Sequence, residues 1–327
     1  MSYDVAQYFT LFQKYLQENP LTREPKNLYE PADYILSLGG KRLRPLFALL
    51  GAGLYGEVEN ALKIAMAVEV FHNFTLLHDD IMDEAPLRRG QPTVHKKYNT
   101  NTAILTGDVM MIQSYQYLLE YQEPQMVKSL ISIFNKMAFE VCEGQQWDMD
   151  FETRNDVTID EYIQMITYKT SVLIAASIQM GSVVNKASEQ DQRHLYEFAK
   201  NFGIAFQLQD DILDTFGNAA LVGKTIGGDI LQNKKTYLFL KSYELASEKQ
   251  KERLKSLYFD SSLDISKDEK IKEVTQIFKD VHVVEYAKQV IEAYRDLALS
   301  HLAACSPHSD KKQVLADMVE EYLVRES

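Results

Sequence analysis

Aspartates spaced three and four residues apart at the end of a long apolar run are the first feature of this chain that could do chemistry. In Asp79-Asp80-Ile81-Met82-Asp83, a helix puts Asp79 and Asp83 one turn apart on one face, with Asp80 on the same side. Like charges at that spacing repel, so a cation is expected among them. An all-oxygen ligand set suits Mg²⁺, which takes one or two carboxylates and completes its shell with water and phosphate oxygens. The spacing recurs in Phe206-Gln207-Leu208-Gln209-Asp210-Asp211-Ile212-Leu213-Asp214, again closing an apolar run. One acidic cluster alone reads as well as a solvated helix end. Two of them, on two helices, point to a diphosphate clamped through several Mg²⁺ ions.

Basic residues stand near these clusters in the sequence. Gly39-Gly40 is a helix stop that also lets backbone approach a ligand, and Lys41, Arg42 and Arg44 follow at once. Arg88 and Arg89 lie just beyond the first aspartates, and their guanidinium forks match phosphate oxygens. A lone histidine in an apolar helix usually reads as core. His72, however, is seven residues before Asp79, which places it two turns away and only about 20° off in rotation. Lys169 is set among Ile166, Val172, Leu173 and Ile174, so it either snorkels out or faces a charged ligand. Asp148 closes Gly144-Gln145-Gln146-Trp147-Asp148, as a helix end or as an outer neighbour of the metals.

Together these stretches carry a resemblance to the trans-isoprenyl diphosphate synthases of the polyprenyl synthetase family. The collinear motifs are Gly39-Gly-Lys-Arg-Leu-Arg-Pro45, Asp79–Asp83 followed by Leu87-Arg-Arg-Gly90, Gly144–Asp148, Tyr168-Lys-Thr170, Asp210–Asp214, and Gly223-Lys224 with Asn233-Lys-Lys-Thr236. The resemblance implies head-to-tail condensation of isopentenyl diphosphate with an allylic diphosphate, namely dimethylallyl, geranyl or farnesyl diphosphate. It implies three Mg²⁺ ions per site, held by Asp79, Asp83 and Asp210, with Asp80, Asp211 and Asp214 close by. Arg88, Lys169, Thr170, Gln207, Lys224 and Lys234 are implied on the allylic side. Lys41, Arg44, His72 and Arg89 are implied as a metal-free pocket for isopentenyl diphosphate. It implies, too, a homodimer. Other classes are weaker: a class I terpene cyclase needs no second anion pocket, and a non-catalytic subunit would have eroded motifs.

The elements that must position these residues read as helices. All eight prolines lie at or before position 124 or at 306, which leaves a long proline-free stretch, and strict alternation is scarce; both favour an all-α fold. Helices are expected near 3–17, 28–38, Pro45–Tyr55, 58–84, 101–121, 124–148, 158–180 and 188–215, then a Gly-rich loop over 217–232 and about four covering helices. With 46% apolar residues and no linker, a single domain over 1–327 is expected: one large helical bundle around a deep central cavity, with the Asp-rich helix ends facing each other at its mouth.

A net charge of −12 without a long basic run argues against nucleic acid and anionic membrane surfaces. No signal segment or membrane-length apolar run is visible, so no stable membrane insertion is expected. Cys142 and Cys305 have no metal-ligand spacing, fit a cytoplasmic protein and read as small buried apolar residues. In the family, bulky residues four and five positions before the first aspartate set product length. Here they are Thr75 and Phe74, without the insertion typical of bacterial farnesyl diphosphate synthases. A geranylgeranyl product is expected, with farnesyl as the alternative and Met111 or Tyr115 as other candidates for the floor.

Overall fold

The computed structural model describes residues 5–217, 227–260 and 262–323, and they are helical almost throughout. The elements are α1 (Val5–Glu18), α2 (Lys26–Ser37), α3 (Leu43–Tyr55), α4 (Leu62–Met82), β1 (Leu87–Arg88), β2 (Gln91–Pro92), α5 (Val94–Lys97), α6 (Thr100–Leu119), α7 (Pro124–Thr153), α8 (Ile159–Ile166), α9 (Val172–Val184) and α10 (Glu189–Phe216). Further helices run over Gly228–Leu231, Tyr237–Leu245, Glu248–Phe259, Lys267–Asp280, Val283–Ala304 and Ser309–Leu323. The fold is all-α, as the proline distribution predicts. The stretch expected as a Gly-rich loop instead contains the short helix Gly228–Leu231.

The helices gather into two compact units. One is drawn from Met1–Lys136, Leu173–Tyr196 and Ala304–Leu315; the other from Met137–Val172, Glu197–Ala303 and Ala316–Ser327.

In the first unit α3 is buried on nearly every side, from Leu43 to Leu54, as a helix apolar all round must be. Glycines set how closely α9 crosses it. A Cβ on Gly51 would strike the carbonyl of Ile178, and one on Gly181 that of Ala48. The central helix begins later than its apolar run suggests, because Val58–Ala61 winds as a 3₁₀ turn and α4 starts at Leu62. α6 lies alongside α4, with Gly107 flush against the ring of His78. An aromatic cluster fills in behind: Phe71 meets Phe74 and Phe134 at ring distances of 5.4 and 5.1 Å, and Tyr115 meets Phe134 at 4.8 Å.

In the second unit α8 starts on a capping box between Thr158 and Glu161, which satisfies two donors that the helix end leaves open. The helix expected over 158–180 is interrupted. Thr167–Ser171 winds as a π-helical turn before α9 resumes. Two glycines make room for it. A Cβ on Gly144 of α7 would run into the backbone N of Lys169, and one on Gly203 of α10 would meet Ser171 at 2.8 Å. The wide turn therefore lies against two helices that come close only because they carry no side chain there. Cys305 is buried as expected, whereas Cys142 is exposed.

Candidate active site

The basic pocket is assembled within the first unit. Arg42 and the glycines at 39 and 40 all have positive φ, which lets the chain reverse tightly between α2 and α3. Arg89 donates to the carbonyl of Gly39, and a Cβ on Gly40 would fall 2.5 Å from its guanidinium; only glycine leaves room. Arg89 itself sits in the hairpin turn between β1 and β2, and both it and Gly90 have positive φ, the signature of a type I′ turn. The sequence signal was Leu87-Arg-Arg-Gly90, but strands two residues long carry no periodicity to read.

Arg44 Nη1 stands 3.2 Å from His72 Nε2. Arginine has no acceptor, so Nε2 accepts and the imidazole proton belongs on Nδ1. Burial holds His72 well below the usual histidine range, and the surrounding arginines, Arg44 first, push it the same way. Burial also brings Arg44 down to about 10, with Glu69 opposing and Arg89 reinforcing the shift. Arg44, His72 and Arg89 thus lie near one another. Lys41 is exposed at the entry to α3.

On the same helix the first aspartates divide their work. Asp80 is buried and is gripped by Arg88, with Nε and Nη2 each 2.8 Å from a carboxylate oxygen. Burial raises Asp80 despite that pairing. Arg88, expected at a diphosphate, is here the counterion of Asp80. Asp79 is half-buried and Asp83 exposed.

The second unit holds the other cluster. A cleft is lined by Asp148, Tyr162, Lys169, Thr170, Gln207 and Asp211, among others. Lys169, delivered by the π-turn, donates to Asp148, and Lys234 lies 3.9 Å from the same carboxylate. Burial would raise Asp148, but the two lysines outweigh it and leave it lowered. Thr170 donates to Gln207 at 3.3 Å, and Gln207 to Asp211 at 3.2 Å. Tyr162, which the sequence reading missed, donates to Asp211. Burial, with Asp229 and Asp210 adding to it, pushes Asp211 well above the usual carboxylate range. Crowded carboxylates of this kind fit a divalent cation, which would relieve the repulsion. Among the described residues no three ligating side chains form a cage by themselves. Lys224 lies outside the described residues.

A sequence model of the polyprenyl synthetase family matches residues 25–280. The chain belongs to the polyprenyl synthetase family. It is 40% identical over 281 residues to a geranylgeranyl diphosphate synthase of Saccharolobus solfataricus, covering 85% of this chain and 83% of that one. A short chain isoprenyl diphosphate synthase of Methanothermobacter thermautotrophicus is 35% identical, with 98% of each chain covered. A crystal structure of a geranylgeranyl pyrophosphate synthase superposes with a TM-score of 0.94 at 43% identity, covering 99% of this chain and all of the other. This polyprenyl synthetase is a prenyltransferase of the short-chain trans type, and its all-α fold is that of its relatives. No helix among its described residues is long and apolar enough to cross a membrane.

Proposed function

We propose that this synthase condenses isopentenyl diphosphate with an allylic diphosphate to make geranylgeranyl diphosphate, acting in the cytoplasm as one polyprenyl synthetase domain. What supports this reading most is the Arg44–His72 pair beside Arg89, an anion pocket separate from the aspartates of the same helix. A terpene cyclase, with a single diphosphate to hold, has no use for it.

In the reaction the C–O bond of the allylic diphosphate breaks, its C1 joins C4 of the isopentenyl group, and a proton leaves C2 for the departed diphosphate. Asp79, Asp83 and Asp210 would hold Mg²⁺, three ions per site, whose charge neutralises the leaving diphosphate. Arg88, Lys169, Lys224 and Lys234 would add positive charge there; a unit-charge pair at ~4 Å is worth about 4 kcal/mol at an effective dielectric of 20. Thr170 and Gln207 orient that side. Lys41, Arg44, Arg89 and the Nδ1 proton of His72 bind the second diphosphate, which keeps its own C–O bond.

Homodimerisation is part of the proposal. Leu105, Ile112 and Leu119 are 59, 65 and 54% exposed and recur every seven residues along α6, an apolar stripe suited to a second copy.

The test is an incubation with isopentenyl diphosphate, Mg²⁺ and each allylic primer in turn, followed by phosphatase treatment and chromatography of the alcohols. Geranylgeraniol is expected as the main product. Farnesol would revise the length, and no condensation from any primer would overturn the reading.

A further inference from the structure

The pocket for the second diphosphate encloses an ion pair that none of its substrate contacts uses. Arg42 stands between Lys41 and Arg44, yet its side chain runs inward and only 5% of the residue is exposed. It donates to the carboxylate of Glu69 and to the carbonyl of Leu36 at the end of α2. Its backbone is left-handed, with φ 49°, an unfavourable conformation for a residue with a Cβ that the surrounding contacts must hold in place. Glu69 is 1% exposed, three residues before His72 on α4. Asn73 donates to it at 2.9 Å and to its own carbonyl at 2.8 Å. Its other oxygen, Oε2, is buried with no hydrogen-bond partner among the described residues.

A buried carboxylate at this position does more than fasten two helices. Arg44 and Arg89 would repel each other and Arg42 while the pocket holds no anion, and Glu69 counters that repulsion at both. We propose that the Arg42–Glu69 pair is a positioning device for the isopentenyl diphosphate pocket. Arg42 fixes the turn that presents Lys41 and Arg44, while Glu69 serves as a resident counterion that keeps Arg44 and Arg89 gathered before substrate arrives. This inference rests on the pocket assignment above and extends it to two residues that touch no substrate.

The test compares full-length wild type, R42Q and R42Q/E69Q by thermal melting and steady-state kinetics, varying each substrate separately. In R42Q the KM for isopentenyl diphosphate is expected to rise by about tenfold or more, the worth of a charge-assisted contact. The allylic KM and kcat should stay within about threefold. Removing both charges in R42Q/E69Q should restore the melting temperature, since a neutral pair leaves no buried ion unpaired, while the KM for isopentenyl diphosphate stays raised. The inference is overturned if that KM recovers together with stability, if both substrates weaken equally, or if neither variant changes it. Should R42Q not fold, the double variant alone decides between raised and normal KM. A wild-type protein that condenses nothing would remove the function assignment itself, a result distinct from an active wild type with unaffected variants.

Discussion

At the scale of single residues, position sets what each ionisable group contributes. Asp79→Ala or Asp210→Ala should each lower turnover by orders of magnitude, because on the proposed reading each would remove a ligand to the ions that neutralise the leaving group. Circular dichroism and melting temperature should stay near wild type; near-normal turnover in either variant would contradict the metal assignment. Lys41→Ala or Arg44→Ala should instead act mainly on the KM for isopentenyl diphosphate. His72 gives a pH prediction. Its folded pKa lies below the usual value of 6.5, so as pH falls through that value the unfolded chain takes up a proton that the native ring refuses. Stability that is complete above that range is then lost toward acid, at up to about 1.4 kcal/mol per pH unit from this group. His72→Gln should flatten the fall in melting temperature between neutral pH and pH 5; parallel curves for the two proteins would refute a buried neutral imidazole.

At the scale of elements, the π-turn and the aromatic face of α4 carry the sharpest expectations. Gly144→Ala would press a methyl into the backbone of Lys169, and α7 or the turn would have to shift. The cost should be about 1–3 kcal/mol of stability, with kcat falling as Lys169 leaves its place, read by denaturant melts and by kinetics at saturating substrate. An unchanged kcat would mean that the turn does not set the lysine. Phe74 is packed between Phe71 and His78, at ring distances of 5.4 and 4.9 Å, while the Thr75 hydroxyl donates to the carbonyl of His72. If Phe74 stops the growing chain, Phe74→Ala lengthens the product and Thr75→Phe shortens it to farnesyl; unchanged prenol profiles in both variants would place the stop elsewhere. The long helices were legible because their periodicity runs for many turns and no proline falls between positions 124 and 306. The π-turn was not, since the residues around Tyr168-Lys169-Thr170 keep a helical pattern and the extra residue is accommodated by glycines far away in sequence. Arg42 escaped for a similar reason: Lys41 and Arg44 beside it are candidate phosphate ligands, and only the fold shows that it turns toward Glu69. The one hint was a single glutamate inside the apolar run Ile64–Phe71.

At the scale of the whole molecule, a net charge of −12 opposes the approach of diphosphates, so binding depends on local cationic lining and on Mg²⁺. The apolar stripe on α6 predicts a dimer by light scattering at micromolar concentration; a monomer there would count against it. The central claim is that two diphosphates bind by different physics, one through metal and one through arginine and histidine alone. Calorimetric titration in the presence and absence of a chelator tests it most directly, using isopentenyl diphosphate and a non-reactive thio analogue of an allylic diphosphate. The account predicts that chelation abolishes binding of the allylic analogue, while isopentenyl diphosphate still binds and loses its affinity in Arg44→Ala. Equal loss of both ligands on removing Mg²⁺ would contradict it.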